Sequence, residues 1–143
     1  MVIAHSGFAV SYAVENSTLG GVGAGAHLME KDAHRYFQIN TFVGMMHLKY
    51  DFAEAHQAPT VGTYIKFKFP IQKEKLYLSE DVHTYLSMQT PKYRGFNSST
   101  NLNYILNKNF SLELNYRTVY NRETPEWVHK YNGKFNFGLR YII

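Results

Sequence analysis

Hydrophobic and polar residues alternate along most of this chain with the period of two that is typical of β-strands. The final segment shows the alternation most clearly. One side of it carries Tyr131, Phe135, Phe137, Leu139 and Tyr141, and the other carries Asn132, Lys134, Asn136 and Arg140. An α-helix does not keep such residues on one side. The pattern therefore predicts a strand with one apolar and one mostly polar face.

The same alternation, interrupted by turn residues, predicts eight strands. They cover residues 2–14, 19–29, 34–52, 60–69, 76–88, 100–106, 110–121 and 131–143. The third strand changes phase, since Ile39 and Val43 share one parity whereas Met46 and Leu48 share the other. A β-bulge near Gly44 is expected to keep these residues on one face. The prolines fall at predicted strand ends or in loops.

Connection lengths add an independent signal. The links after strands two, four and six are short, and those after three, five and seven are longer. The chain has 143 residues, which suits a single domain over 1–143, and 16% of them are aromatic. It contains no run of 18 apolar residues. We therefore predict an all-β fold, an eight-stranded antiparallel up-and-down transmembrane β-barrel, with short turns at one rim and longer loops at the other.

The terminal residues Asn136, Gly138, Tyr141 and Ile143 resemble the assembly signal of bacterial outer-membrane β-barrels, although that signal usually ends in Phe. Over its full length the chain is similar to the small barrels typified by the OmpA transmembrane domain, OmpX and NspA. This resemblance implies residence in the outer membrane of a Gram-negative bacterium, contact with its lipid and lipopolysaccharide, and insertion by the barrel-assembly machinery. It implies no single biochemical activity. The start of the chain shows no signal peptide, so its removal is assumed.

The direction of the apolar face separates two classes of barrel. A soluble lipocalin-like barrel has the same alternation with its apolar face inside. Aromatic residues concentrate toward the strand ends, which favours a membrane barrel with its apolar face toward lipid. The polar face then fills a narrow lumen, where charges must pair or reach water. The expected lumen network comprises Asp51, Lys66, Lys68, Asp81, Glu113, Arg117, Lys134 and Arg140, with further candidates His5, His27, His47, Lys49 and His83.

Two pairings are expected within this network. Glu113 is expected to meet Arg140 or Lys134, and Asp81 to meet Lys66 or Lys68. Glu80 does not fit the assignment of charged residues to the lumen, because it shares its parity with apolar neighbours and would face lipid. The preferred function is a non-enzymatic outer-membrane protein that supports the envelope or presents short surface loops.

A lipid A-modifying enzyme, an acyltransferase or deacylase, is the alternative. Ser79, Asp81 and His83 share one face of strand five, and His47 is a further candidate base. Alternate residues on a strand are about 6.6 Å apart, which places Ser79 and His83 about 13 Å apart at their α-carbons. Such a spacing argues against a local triad. We name no catalytic residue beyond these weak candidates, and we expect no cofactor.

The loops offer a second kind of site. Aromatic and basic side chains that suit lipopolysaccharide phosphates or a protein partner are Lys92, Tyr93, Arg94, Phe96 and Trp127.

The formal net charge is +4, but the basic residues are scattered, so nucleic-acid binding is not expected. Cysteine is absent and the seven histidines lack ligand spacing, so no metal site is expected. We expect a monomer.

Overall fold

The computed structural model describes residues 2–9, 14–32, 35–50, 54–124, 126 and 129–141. They form one antiparallel sheet in which each strand pairs with the next along the chain. The strands are β1 (Val2–Ala9), β2 (Val14–Asp32), β3 (Arg35–Tyr50), β4 (His56–Gln72), β5 (Leu76–Ser87), β6 (Arg94–Ile105), β7 (Phe110–Asn121) and β8 (Tyr131–Tyr141). The predicted all-β, up-and-down architecture is confirmed. Across the described residues the pairing runs from β1 to β8, and no β1–β8 ladder closes the sheet.

Several predicted strand boundaries were wrong. Residues 15–18, expected to separate the first two strands, lie inside β2. The fourth strand runs from His56 to Gln72 instead of 60–69, so Pro59 and Pro70 lie within it, and β6 begins at Arg94 instead of residue 100. Phe96 therefore lies in a strand, opposite Thr84 and Tyr120, and not in a loop. The polar residues at the start of β6 are compatible with a strand because both neighbours, β5 and β7, satisfy its backbone hydrogen bonds.

The bulge predicted near Gly44 was also wrong. The β3–β4 ladder runs without a shift from the pair Tyr36 and Lys68 to the pair Leu48 and His56. Opposite β2, the register shifts lie near the two ends of the ladder and not at Gly44. Phe42, Met46 and Leu48 consequently share one face of β3 with Asn40. The change of phase in the sequence therefore reflects a shift of apolar side chains from the outer face, at Ile39 and Val43, to the inner face, at Met46 and Leu48.

The register assigns each residue to one of two faces. The inner face carries the buried side chains Leu19, Asn40, Phe42, Met46, Leu48, Ala58, Thr60, Tyr77, Ser87, Ser111 and Asn121. The outer face carries large apolar side chains that are exposed, namely Val22, Val43, Met45, Leu86, Tyr104, Phe110, Tyr116, Tyr131, Phe135, Phe137, Leu139 and Tyr141. The inner face thus buries both apolar and polar residues, whereas the outer face exposes large apolar ones.

The two ends of the sheet differ in their connections. At the short-turn end, residues 33–34, 73–75 and 106–109 join consecutive strands and β8 ends, whereas β1 begins opposite Val22, near the middle of β2. At the long-loop end, the links are residues 10–13, 51–55, 88–93 and 122–130. No helix within the described part of the chain is long and apolar enough to cross a bilayer.

Candidate functional site

An apolar cluster occupies the long-loop end of the inner face. It consists of Leu19, Phe42, Met46 and Leu48, with Tyr85 and Tyr93 packed against it. Tyr93 comes from the β5–β6 connection, and its ring stacks on His56 with 3.7 Å between ring centroids. The cluster forms because β2, β3 and a loop bring their apolar side chains to one end of the enclosed face.

A tyrosine links this cluster to β7, two strands away from its own strand. Tyr85 on β5 donates a hydrogen bond to Asn121 Oδ1 on β7 and so reaches past β6. The intervening residue is Gly95, where an added Cβ would lie 2.6 Å from the Tyr85 hydroxyl oxygen. The absence of a side chain at Gly95 is therefore what allows Tyr85 to cross.

Charged residues occupy the middle of the inner face. Lys66 and Asp81 are register partners on β4 and β5, with 3.9 Å between Nζ and Oδ1. Their side chains are 37% and 38% exposed, so the pair contributes modestly to stability. The contact expected for Asp81 thus involves Lys66, whereas Lys68 lies over the Tyr77 ring at 5.2 Å from its centroid.

Asparagine side chains form a hydrogen-bonded row across β6, β7 and β8. Asn115 Nδ2 donates to Ser99 Oγ at 2.9 Å and to Asn101 Oδ1 at 2.6 Å. Its own Oδ1 accepts a hydrogen bond from Asn136 Nδ2 at 3.4 Å. One amide therefore connects three strands on the inner face, which fixes their relative position.

Replacing Asn115 with alanine is expected to lower the free energy of unfolding by about 1–3 kcal/mol, because three partners lose a hydrogen bond. Urea unfolding followed by tyrosine and tryptophan fluorescence measures the change. The matched control is Asn97→Ala, an inner-face asparagine of β6, with an expected change within about 0.5 kcal/mol. Equal losses in both variants would contradict a specific role for Asn115.

Glu113 is the acidic centre of the short-turn end. Its Oε1 accepts hydrogen bonds from Arg140 Nη1 and from Asn103 Nδ2, both at 3.0 Å. The pair with Arg140, expected across the last hairpin, is therefore present. Lys134 instead lies opposite Arg117, its register partner.

Asn103 and Asn115 were not identified from the sequence. Asparagine at positions 97, 101 and 103 of β6, which share one parity, is a usable signal for a polar face.

A cavity of about 560 Å³ lies at the short-turn end, next to Glu113. Its wall includes Lys68, Tyr77, Ser79, Asn101, Glu113 and Arg140. It lies at the opposite end of the inner face from the apolar cluster. Because charged and amide groups converge on this cavity, it is the candidate site.

The structure does not assemble the candidate catalytic residues. Ser79, Asp81 and His83 face three successive register partners on β4, namely Lys68, Lys66 and Tyr64. The ring of His83 packs near Phe42, with 5.5 Å between ring centroids. The fourth candidate, His47, pairs with Gln57 on the outer face and so cannot serve as a base for inner-face residues, because the register shift assumed for it is absent. Lys49 was placed on the wrong face for the same reason.

The predicted loop residues are engaged with their neighbours. Lys92 Nζ lies 3.1 Å from Glu123 Oε1 and 4.9 Å from the Tyr93 ring centroid. The hydrogen bond to Glu123 is the main reason that the pKa of Lys92 is raised. Phe96 stacks on Tyr120 on the outer face, and Arg94 is exposed. Trp127, Asp51 and Ile143 lie outside the described residues.

Glu80 lies on the outer face, as its parity predicts, and accepts a hydrogen bond from Thr100 Oγ1 on β6. The assembly-signal residues Asn136 and Gly138 lie on the inner face and Tyr141 on the outer face. Within the described part of the chain, no group of three His, Asp or Glu residues is arranged to hold a metal ion.

Comparison with known proteins gives one match. A family model described as "Protein of unknown function, DUF481" matches residues 11–142. No curated protein matches the chain. No solved structure matches it either.

Proposed function

We propose that this chain, which belongs to the DUF481 family, is a non-enzymatic integral outer-membrane protein whose eight strands close into a transmembrane β-barrel. It supports the envelope or presents its short loops at the cell surface. The observation that carries the proposal is the run of exposed apolar side chains on the outer face, opposite the polar and charged residues that the inner face carries on β7 and β8. Outer-membrane lipid and lipopolysaccharide are its proposed surroundings, and the barrel-assembly machinery is the proposed insertion partner.

The exposed apolar side chains of β7 and β8 support a lipid environment for the outer face. On β8, Phe135, Phe137 and Leu139 are 61%, 68% and 61% exposed. Their register partners Leu112, Leu114 and Tyr116 extend the same surface onto β7. Apolar surface in water costs roughly 25 cal/mol per Å². Acyl chains remove that cost, whereas a soluble ligand-binding barrel requires these residues inside.

Two groups of aromatic residues lie near the two ends of the outer face, with Tyr116, Phe135 and Phe137 between them. Phe96 stacks near Tyr120 and Tyr131 toward the long-loop end, and Phe110 packs on Tyr141 toward the short-turn end. From Phe110 to Tyr120 the strand advances about 33 Å at roughly 3.3 Å per residue. With a strand tilt of about 40°, that length spans about 25 Å, the height of the apolar band in outer-membrane barrels. The two aromatic groups are therefore spaced as interface girdles.

Closure of the sheet follows from the same environment. An unpaired strand edge within a bilayer leaves backbone N–H and C=O groups without hydrogen-bond partners, at several kcal/mol each. Pairing of β1 with β8 removes both edges, and the two strands run in opposite directions, as an antiparallel pairing requires. In the bilayer we propose that the short-turn end faces the periplasm and the long loops face outward.

Spin labelling of β8 tests the direction of its faces. The chain has no cysteine, so single cysteines introduced at residues 135 to 139 carry one nitroxide each. In lipid vesicles we expect labels at residues 135, 137 and 139 to collide with dissolved oxygen, and labels at 136 and 138 with a polar nickel reagent. Each label is compared with its immediate neighbours, which provides the control.

Heat-dependent gel migration provides an independent check, because folded membrane barrels keep a compact shape in detergent until they are boiled. We expect the unboiled protein to migrate faster than the boiled one. Uniform access of the nickel reagent along β8, together with identical migration of both samples, would overturn the proposal.

A further inference from the structure

The cavity at the short-turn end has the size of a small-molecule site. Its volume of about 560 Å³ falls within the range of ligand pockets, about 300–1,000 Å³. Walls from β4, β5, β6, β7 and β8 surround it. The apolar cluster occupies the opposite end of the inner face, at Phe42 and Met46. The space is therefore a cup that opens toward the short turns.

The charges of this cup are unbalanced. Of the described residues that line it, Lys68, Lys108 and Arg140 are cationic, and Glu113 is the one carboxylate. Farther along the inner face the balance differs, since Lys66 lies beside Asp81 and neither residue lines the cavity. The cup therefore carries a net positive charge, which favours the binding of an anion.

The neutral groups of the wall also suit an anion. Asn101 Oδ1 accepts a hydrogen bond from Asn115, which leaves the Asn101 Nδ2 group as a donor. The hydroxyl of Ser79 lies beside it in the register, since the two residues are partners on β5 and β6. Arg140 contacts Glu113 through Nη1, and its guanidinium carries five N–H donors. Guanidinium and ammonium groups with amide donors are the common partners of carboxylate and phosphate oxygens.

We infer that the cup binds a small solute that carries two or more carboxylate or phosphate groups. Lys68 on β4 and Arg140 on β8 hold the anionic groups, and Ser79 and Asn101 donate hydrogen bonds to them. Entry from the periplasmic side rests on the proposed function, but binding itself depends only on the cup. Because Phe42 and its neighbours fill the far end, the solute is retained and not conducted.

Calorimetric titration of the refolded protein in detergent at low salt tests this inference, with citrate in one arm and inorganic pyrophosphate in the other. We expect saturable binding of citrate, of pyrophosphate or of both, which identifies the preferred group. Lys68→Met and Arg140→Met are each expected to weaken binding about 10-fold or more, since each removes a charge-assisted contact. Two independent variants keep the test informative when one of them fails to fold.

The matched controls are Lys66→Met, on the same strand and face as Lys68, and Lys134→Met, on the same strand and face as Arg140. Both are expected to keep the affinity within about 2-fold, because neither residue lines the cup. Heat-dependent migration verifies the fold of each variant. Absence of binding by either anion at about 10 mM, or equal weakening in all four variants, would overturn the inference. If the anion binds specifically but the nickel reagent reaches all labels on β8 equally, the membrane barrel is refuted and the binding site is retained.

Discussion

Replacing Phe42 with alanine is expected to lower the free energy of unfolding by about 3–5 kcal/mol, the range for a buried phenylalanine. Phe42 is 1% exposed and packs near the His83 ring. On the adjacent strand, Gly62 leaves room for its ring, since a Cβ there would lie 2.4 Å from Phe42 Cζ. Removing the ring opens a cavity in the middle of the apolar cluster. Urea unfolding in lipid vesicles measures the loss.

The next residue along the chain provides the control. Val43 is 53% exposed on the outer face, so Val43→Ala is expected to cost less than about 1 kcal/mol. A pairwise comparison of this kind tests the register of β3 directly. Similar losses at the two positions would show that β3 does not separate an enclosed face from an exposed one.

The long strands near the carboxyl end were predictable because both of their faces follow a simple rule. In β7 and β8, apolar residues such as Leu114 and Phe137 occupy every second position, and polar residues occupy the others. Once that register is set, Glu113 and Arg140 lie close together on the inner face. The ion pair therefore follows from local alternation and one hairpin connection.

The inner face of β3 could not be predicted in the same way. A switch of apolar parity near Gly44 is compatible with a bulge or with apolar side chains that turn inward at one end. The deciding contacts come from Leu19 on β2 and Tyr93 in the β5–β6 connection. Those residues are distant in sequence, so only the three-dimensional pairing distinguishes the two arrangements.

The cup could not be predicted from the sequence for a related reason. Its residues were individually assigned to a polar face, but the excess of cations depends on which of them share one end of it. Lys66 and Lys68 are equivalent by parity, yet Asp81 lies beside the first and the Tyr77 ring beside the second. The alternation of polar and apolar residues predicts the face on which a side chain lies. Its position between the two ends of the sheet depends on the stagger between strands.

Introducing arginine at Leu114 is expected to cost about 2–4 kcal/mol in vesicles, the range for a cation on the lipid face near the bilayer midplane. Leu114 lies on the outer face about midway between Phe110 and Tyr120, the aromatic residues at the two ends of β7. Its register partners are Leu102 and Phe137, so no acidic side chain is directly opposite. The side chain must reach toward an interface or draw water into the bilayer.

The control places the same charge on the other face. Asn97 lies on the inner face of β6, with His83 and Val119 as its register partners, and Asn97→Arg is expected to cost less than about 1 kcal/mol. In water an outer-face arginine at residue 114 would be harmless, because its charge would remain hydrated. The difference between the two variants therefore measures the medium that surrounds the outer face. Equal tolerance of arginine at both positions would show that this medium is aqueous and would exclude a lipid-facing sheet.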